Sequence, residues 1–173
     1  MSDSQEVAQG HERGSDEHTA LARVHNSQNA TDYVTFTIAG QLFGIPVKQV
    51  QDVLQGGTIT RIPLAPPEIA GVLNLRGRIV TAIDVRLRLG LPPRDDAENI
   101  MSLVVDHGGE LYSLRVDEVG DVYSIDPTTF DRNPPTLDPK IRDFSAGIYR
   151  RNEKLMVVLD VERLLDYEVS QTS

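Results

Sequence analysis

The 173-residue chain contains no cysteine and no tryptophan, and only 5% of it is aromatic. Without thiols it can form no disulfide and no thiolate metal centre, and it has no cysteine nucleophile. That composition fits a reducing compartment, and cytoplasmic residence is predicted. No apolar run approaches the roughly 18 residues that would suggest a membrane span. The opening residues, MSDSQEVAQGHERGSDEHTA, are polar and acidic where a secretory signal needs a basic start and an apolar core, so neither export by that route nor membrane insertion is predicted. Basic residues are also scarce. Seventeen Lys and Arg against 26 Asp and Glu leave a formal net charge of -9, which repels phosphate backbones and anionic lipid. A small barrel that stacks bases needs a basic face studded with aromatics, and this chain lacks both features. Proteins are the expected partners.

The chain divides near residue 30. Residues 1–30 have no aromatic residue and almost no bulky apolar group beyond Val7, Leu21 and Val24, so a disordered acidic tail is predicted there. His11, His18 and His25 recur every seven residues within it, but no apolar seam accompanies them. Residues 31–173 are predicted to form one mainly β domain. YVTFTI and LFGIPV flank the turn AGQ, and MSLVV and LYSLRV flank DHGGE, each reading as a hairpin whose glycine supplies a positive φ. GRIVTAIDV and KLMVVLDV are further β-branched runs, followed by short helical patterns at RLRLG and ERLLDYE.

The second half repeats the first. Gly40, Leu42, Phe43, Val47, Val50, Asp52 and Val53 meet Gly109, Leu111, Tyr112, Val116, Val119, Asp121 and Val122 at an offset of 69 (109 minus 40). Gly71, Val72, Ile79, Ile83, Asp84, Val85 and Leu89 meet Gly147, Ile148, Leu155, Leu159, Asp160, Val161 and Leu165 at an offset of 76 (147 minus 71). The seven extra residues fall in the proline-rich DPTTFDRNPPTLDP, which reads as a surface loop. Two tandem barrels of about five strands each are predicted, since closing a short sheet removes its edges. The repeat halves span roughly 33–92 and 99–169, with strand exchange between them left open.

A duplication separates scaffold from site, because residues serving the fold should match in both copies while a site need not. Asp84 and Asp160 match, each between a strand and a helical turn, and are predicted to cap those turns. The NLRG turn at Asn74 to Gly77 does not match, because RRNE occupies its place in the second copy. Arg76 is therefore either a solvated turn residue or a guanidinium whose five donors face a partner.

The blocks FGIPVKQVQDVL, ITRIPLAPPEIAG, IAGVLNLRGRIVTAIDVRLRLGL, LRVDEVGDVYSI and LMVVLDVERLL, in this order over residues 33–169, resemble the CheW family of bacterial chemotaxis coupling proteins. The resemblance implies two SH3-like five-stranded β-barrel subdomains that bridge the histidine kinase CheA, through its regulatory domain, to the cytoplasmic tips of chemoreceptors. It also implies contacts with other CheW-like domains in rings, and no cofactor. By motif, the family's functional arginine falls on Arg76. Val50 and Asp52 of KQVQDV fall where the family usually has valine and glutamate, and Gly71 falls on the glycine that opens GVLNLRG. Those four are the partner-binding candidates. The family implies no catalytic and no metal-binding residue.

An enzyme is the competing class, and its inventory is thin. His107 is the single histidine after residue 30, set in a glycine turn without a nucleophile or an orienting partner in the pattern. Gly56-Gly57 and Gly108-Gly109 lack the spacing that cradles phosphates, and no EF-hand loop occurs.

Overall fold

A computed structural model describes residues 30–94 and 99–166; the predicted tail falls on residues that lie outside this description, save Ala30. Ten strands alternate with short helical turns. They are β1 (Thr31–Ile38), β2 (Gln41–Pro46), β3 (Val50–Gln55), β4 (Ile69–Leu75), β5 (Arg78–Asp84), β6 (Met101–His107), β7 (Glu110–Val116), β8 (Glu118–Ile125), β9 (Ser145–Arg151) and β10 (Lys154–Leu159). The helices are α1 (Val85–Arg88), α2 (Pro139–Arg142) and α3 (Val161–Leu165). The tight hairpins arise where the chain can turn left-handed. Ala39 and Gly40 take φ of 52° and 82° between β1 and β2, and Gly108 and Gly109 take 65° and 85° between β6 and β7.

Two five-stranded sheets result, in the orders β8-β1-β2-β10-β9 and β3-β6-β7-β5-β4. The exchange left open by the sequence is complete. The first sheet joins β1 and β2 of the first repeat to β8, β9 and β10 of the second, and the other sheet joins β3, β4 and β5 to β6 and β7. The crossings are short: the 3₁₀ turn Val47–Gln49 carries the chain from β2 into the opposite sheet, and Asp117 alone links β7 to β8. The two sheets share one pairing scheme. Phe43 pairs with Val157 in parallel where Tyr112 pairs with Thr81, and the bulge at Val34/Phe36 has its counterpart at Val50/Asp52. Outside the named strands one bridge in each repeat reaches β4 or β9, Thr60 to Val72 and Asp131 to Ile148, and this closes each sheet into a barrel.

Strands buried on both faces explain why the apolar runs are nearly continuous. One face of each barrel contributes to a shared core that includes Phe36, Phe43 and Ile45 from the first barrel and Ile83, Leu103 and Leu114 from the second. The other face feeds a private cluster, around Tyr33, Ile125 and Met156 in the first barrel and around Val80, Val104 and Leu111 in the second. The proline-rich segment before β9 departs from the surface loop expected of it. It forms the turn Pro127–Thr129 and α2, and it buries Leu137 and Ile141 in the shared core. Its prolines start both turns, where a missing N–H costs nothing, which is why a proline count misreads it as irregular. Arg88 fastens the barrels across this core: its Nε donates to the Leu164 carbonyl at 2.7 Å, and its guanidinium lies 4.8 Å from the Phe144 ring centre.

Candidate partner-binding site

Leu75 and Arg78 pair at the end of the β4–β5 hairpin, so Arg76 and Gly77 form a two-residue loop. Their φ values of 52° and 85° are those of a type I′ turn, and Asn74 Oδ1 accepts the Gly77 N–H at 2.9 Å. The second repeat makes the same turn with Asn152 and Glu153, at φ 50° and 69°. The mismatch read from the sequence is therefore one of side chains and not of backbone. Asparagine tolerates the left-handed region, whereas arginine there costs the fold something.

The tip leans back over the bulge in β3. Arg76 Nη2 lies 3.0 Å from Asp52 Oδ2, with the arginine side chain 76% exposed and the aspartate 23%. Asp52 Oδ1 accepts the Val53 N–H at 2.8 Å, while Oδ2 is covered and takes no well-aligned hydrogen bond. The contact is one of charge, which leaves the guanidinium's donors to be directed at another molecule. An aspartate is long enough to make it. Val53 on β3 and Ile79 on β5 are 42% and 65% exposed, so each of the two strands that flank the pair in sequence also presents an apolar side chain to solvent. Neither is a site candidate on the sequence pattern alone. Ile79 and Val80 are adjacent apolar residues in one strand, so one of them must face outward.

The other two candidates lie elsewhere. Val50 is half-buried against the shared core and pairs with Val105. Gly71 is buried in β4 at φ 147°, and a Cβ there would stand 2.3 Å from the Thr60 carbonyl oxygen. Gly147 repeats it at φ 154°. Val50 and Gly71 thus both belong to the barrel that carries the Arg76–Asp52 pair.

A family model, the CheW-like domain, matches residues 32–169. The chain belongs to the CheW family. It is 27% identical to the chemotaxis protein CheW of Helicobacter pylori over 86% of this chain and 90% of that protein. Against the CheW of Klebsiella aerogenes it is 29% identical over 79% and 82%. The scaffolding protein TtCheW from Thermoanaerobacter tengcongensis superposes with a TM-score of 0.67 at 31% identity, covering 75% of this chain and 88% of that one.

In this CheW-like domain the duplicated aspartates act as caps. Asp84 accepts the Leu87 N–H and Asp160 the Arg163 N–H, each at 3.2 Å. His107 stands at the end of β6 in a shallow cleft beside Asp160, Glu162 and Asp166. Among the described residues no group of three or more His, Asp or Glu side chains is arranged to hold a metal ion, and no helix is long and apolar enough to cross a membrane.

Proposed function

We propose that this protein is a cytoplasmic chemotaxis adaptor that couples the tips of chemoreceptors to the regulatory domain of the histidine kinase CheA, and that Arg76 and Asp52 form part of its partner-facing surface. The observation that carries this reading is the exposed guanidinium held at a strained turn by a carboxylate from another strand. The pair costs the fold a left-handed arginine and returns little, because an exposed ion pair contributes about 0–1 kcal/mol. A second protein offering carboxylates or carbonyls to the remaining donors, and apolar groups to Val53 and Ile79, would make the arrangement useful.

Coupling of this kind needs no chemistry by the adaptor. Two partners held in one geometry share their conformational equilibria, so a receptor's bias shifts the kinase between active and inactive populations in proportion to its differential contacts. The interlocked barrels suit that task, since strands from both repeats in each sheet make the scaffold stiff. Further CheW-like domains are proposed as ring neighbours.

The test is calorimetric titration of Arg76→Ala and Asp52→Ala with the kinase regulatory domain and with a receptor tip fragment, alongside kinase activity in a reconstituted array. A hot-spot arginine implies about thirtyfold weaker binding to one partner or both, with near-normal melting. Arg78→Ala is the control and should change little. Wild-type binding and coupling by Arg76→Ala would remove this turn from the interface.

A further inference from the structure

A second feature lies at the other end of the β4–β5 hairpin, where Ile69 pairs with Ile83, away from the Arg76 tip. There the segment 59–67 and the chain around Arg94 enclose a cleft of about 450 Å³ at the end of the second barrel. Among the described residues its wall carries Arg61, Arg94 and Arg115 against the single carboxylate of Asp84. This is a concentration of positive charge in a protein whose net charge is -9.

Arg115 is the unusual member. It is half-buried on β7, and among the described residues neither its guanidinium nor that of Arg61 takes a hydrogen bond or ion pair. Burial lowers its pKa, and only the nearby Asp84 charge opposes that. A partly desolvated cation without a hydrogen-bonded counterion costs stability. The barrel does not require it, because the equivalent position in the first repeat is Pro46 (115 minus 69).

The rim gives an independent sign. Leu64 is fully exposed and sits at φ 66°, with Ile62 exposed beside it. A leucine held left-handed in water gains the free protein nothing, and retained backbone strain of this kind collects at binding sites. The matching segment of the second repeat turns Leu137 and Ile141 into the shared core instead.

We propose that this cleft docks an acidic segment of a partner protein, its carboxylates paired with Arg61 and Arg115 and an apolar side chain packed on Ile62 and Leu64. Charge complementarity selects the acid, and guanidinium forks hold carboxylates in two directions. The apolar rim selects a peptide over a small carboxylate, which would fill the cleft and leave Leu64 in water.

The experiment is an NMR titration of the ¹⁵N-labelled full chain with a synthetic peptide of glutamates around one leucine. The same peptide with glutamine for glutamate, and citrate, serve as comparisons. Saturable shifts at residues 59–67 and at Arg115 are expected, weakened about tenfold or more by Arg115→Leu, by Arg61→Ala on its exposed loop and by Leu64→Ser. Arg76→Ala should leave the titration unchanged, which separates this site from the adaptor surface. Equal binding of the glutamine peptide, full competition by citrate with no effect of Leu64→Ser, or no saturable shift would overturn the proposal. So would cleft shifts without peptide on dilution, on deletion of residues 1–29, or on neutralising Asp95, Asp96 and Glu98, because a second copy or the chain itself would then be the occupant.

Discussion

Arg86 on α1 and Asp117 between β7 and β8 are joined by two hydrogen bonds, from Nε to Oδ1 at 3.2 Å and from Nη2 to Oδ2 at 2.8 Å. Asp117 Oδ2 also accepts the Ala39 N–H at 2.9 Å, and Arg94 adds a second cation at 3.4 Å. One carboxylate thus ties the β1–β2 turn of the first barrel to α1 and the crossing strand of the second. The duplicated positions carry the opposite charges, Lys48 (117 minus 69) and Glu162 (86 plus 76).

This node makes stability depend on pH. Burial alone would raise the Asp117 pKa, but the hydrogen bonds from Arg86 and Ala39 and the charges of Arg86 and Arg94 outweigh it and hold the carboxyl below its ordinary value. A carboxyl that titrates lower when folded gives its full stabilisation above the unfolded aspartate pKa of roughly 4, and loses it as pH falls through the folded value. Asp117→Asn should cost about 1–3 kcal/mol at pH 7. Its melting temperature should converge on wild type in acid. Thermal unfolding of both proteins between pH 7 and pH 2 checks this, and a constant gap across the range would exclude the linkage.

The matched glycines Gly71 and Gly147 should respond unequally to alanine. At Gly71 the new Cβ meets the Thr60 carbonyl oxygen at 2.3 Å, and at Gly147 the nearest atom is Phe130 Cβ at 3.3 Å. Both positions carry the backbone strain, but only the first drives a methyl into a barrel-closing bridge. Gly71→Ala is expected to lose more than about 3 kcal/mol or fail to fold, and Gly147→Ala to lose about 1–2 kcal/mol. Denaturant midpoints measure the order.

Removing the cap on α3 tests the aspartates. Asp160→Ala should destabilise the protein by about 0.5–2 kcal/mol and leave affinity for the kinase regulatory domain unchanged in the folded fraction. Asp84→Ala should cost a similar amount, and it should also strengthen binding of an acidic peptide because it removes the one carboxylate that lines the cleft among the described residues. Unchanged melting in either variant would end the capping assignment.

Arg76→Asn gives the first turn the residue used by the second. It should be at least as stable as wild type, since asparagine accepts the left-handed backbone more readily and the exposed pair it removes is worth little. Binding to the adaptor's partners should still fall. A stability gain accompanied by lost coupling shows that the turn is held away from its folding optimum by its use.

The strands and the duplication were legible because β-branched runs, glycine turns and fixed offsets are local properties of the chain. The exchange between sheets was not, since β2 looks the same to its own sequence whether β3 or β10 lies beside it. Likewise Asp52 and Arg76 could be matched to motif positions, but only the bulge in β3 brings the carboxylate to the tip. The proline-rich segment misled because Leu137 and Ile141 are isolated apolar residues with no period, and burial came from tertiary contacts. The Arg115 cleft left no motif at all. It needed three distant segments to meet.

The exchange of strands also sets a timetable for synthesis. The second barrel has all its strands once Val116 has been made, but β1 and β2 have no complete sheet until Leu159 follows, 43 residues later (159 minus 116). At about 5–20 residues per second that interval lasts roughly 2–9 seconds. Throughout it β2, which carries Phe43 and Ile45, lacks a complete β10 at its side, next to a closed barrel and on a chain still tethered to the ribosome.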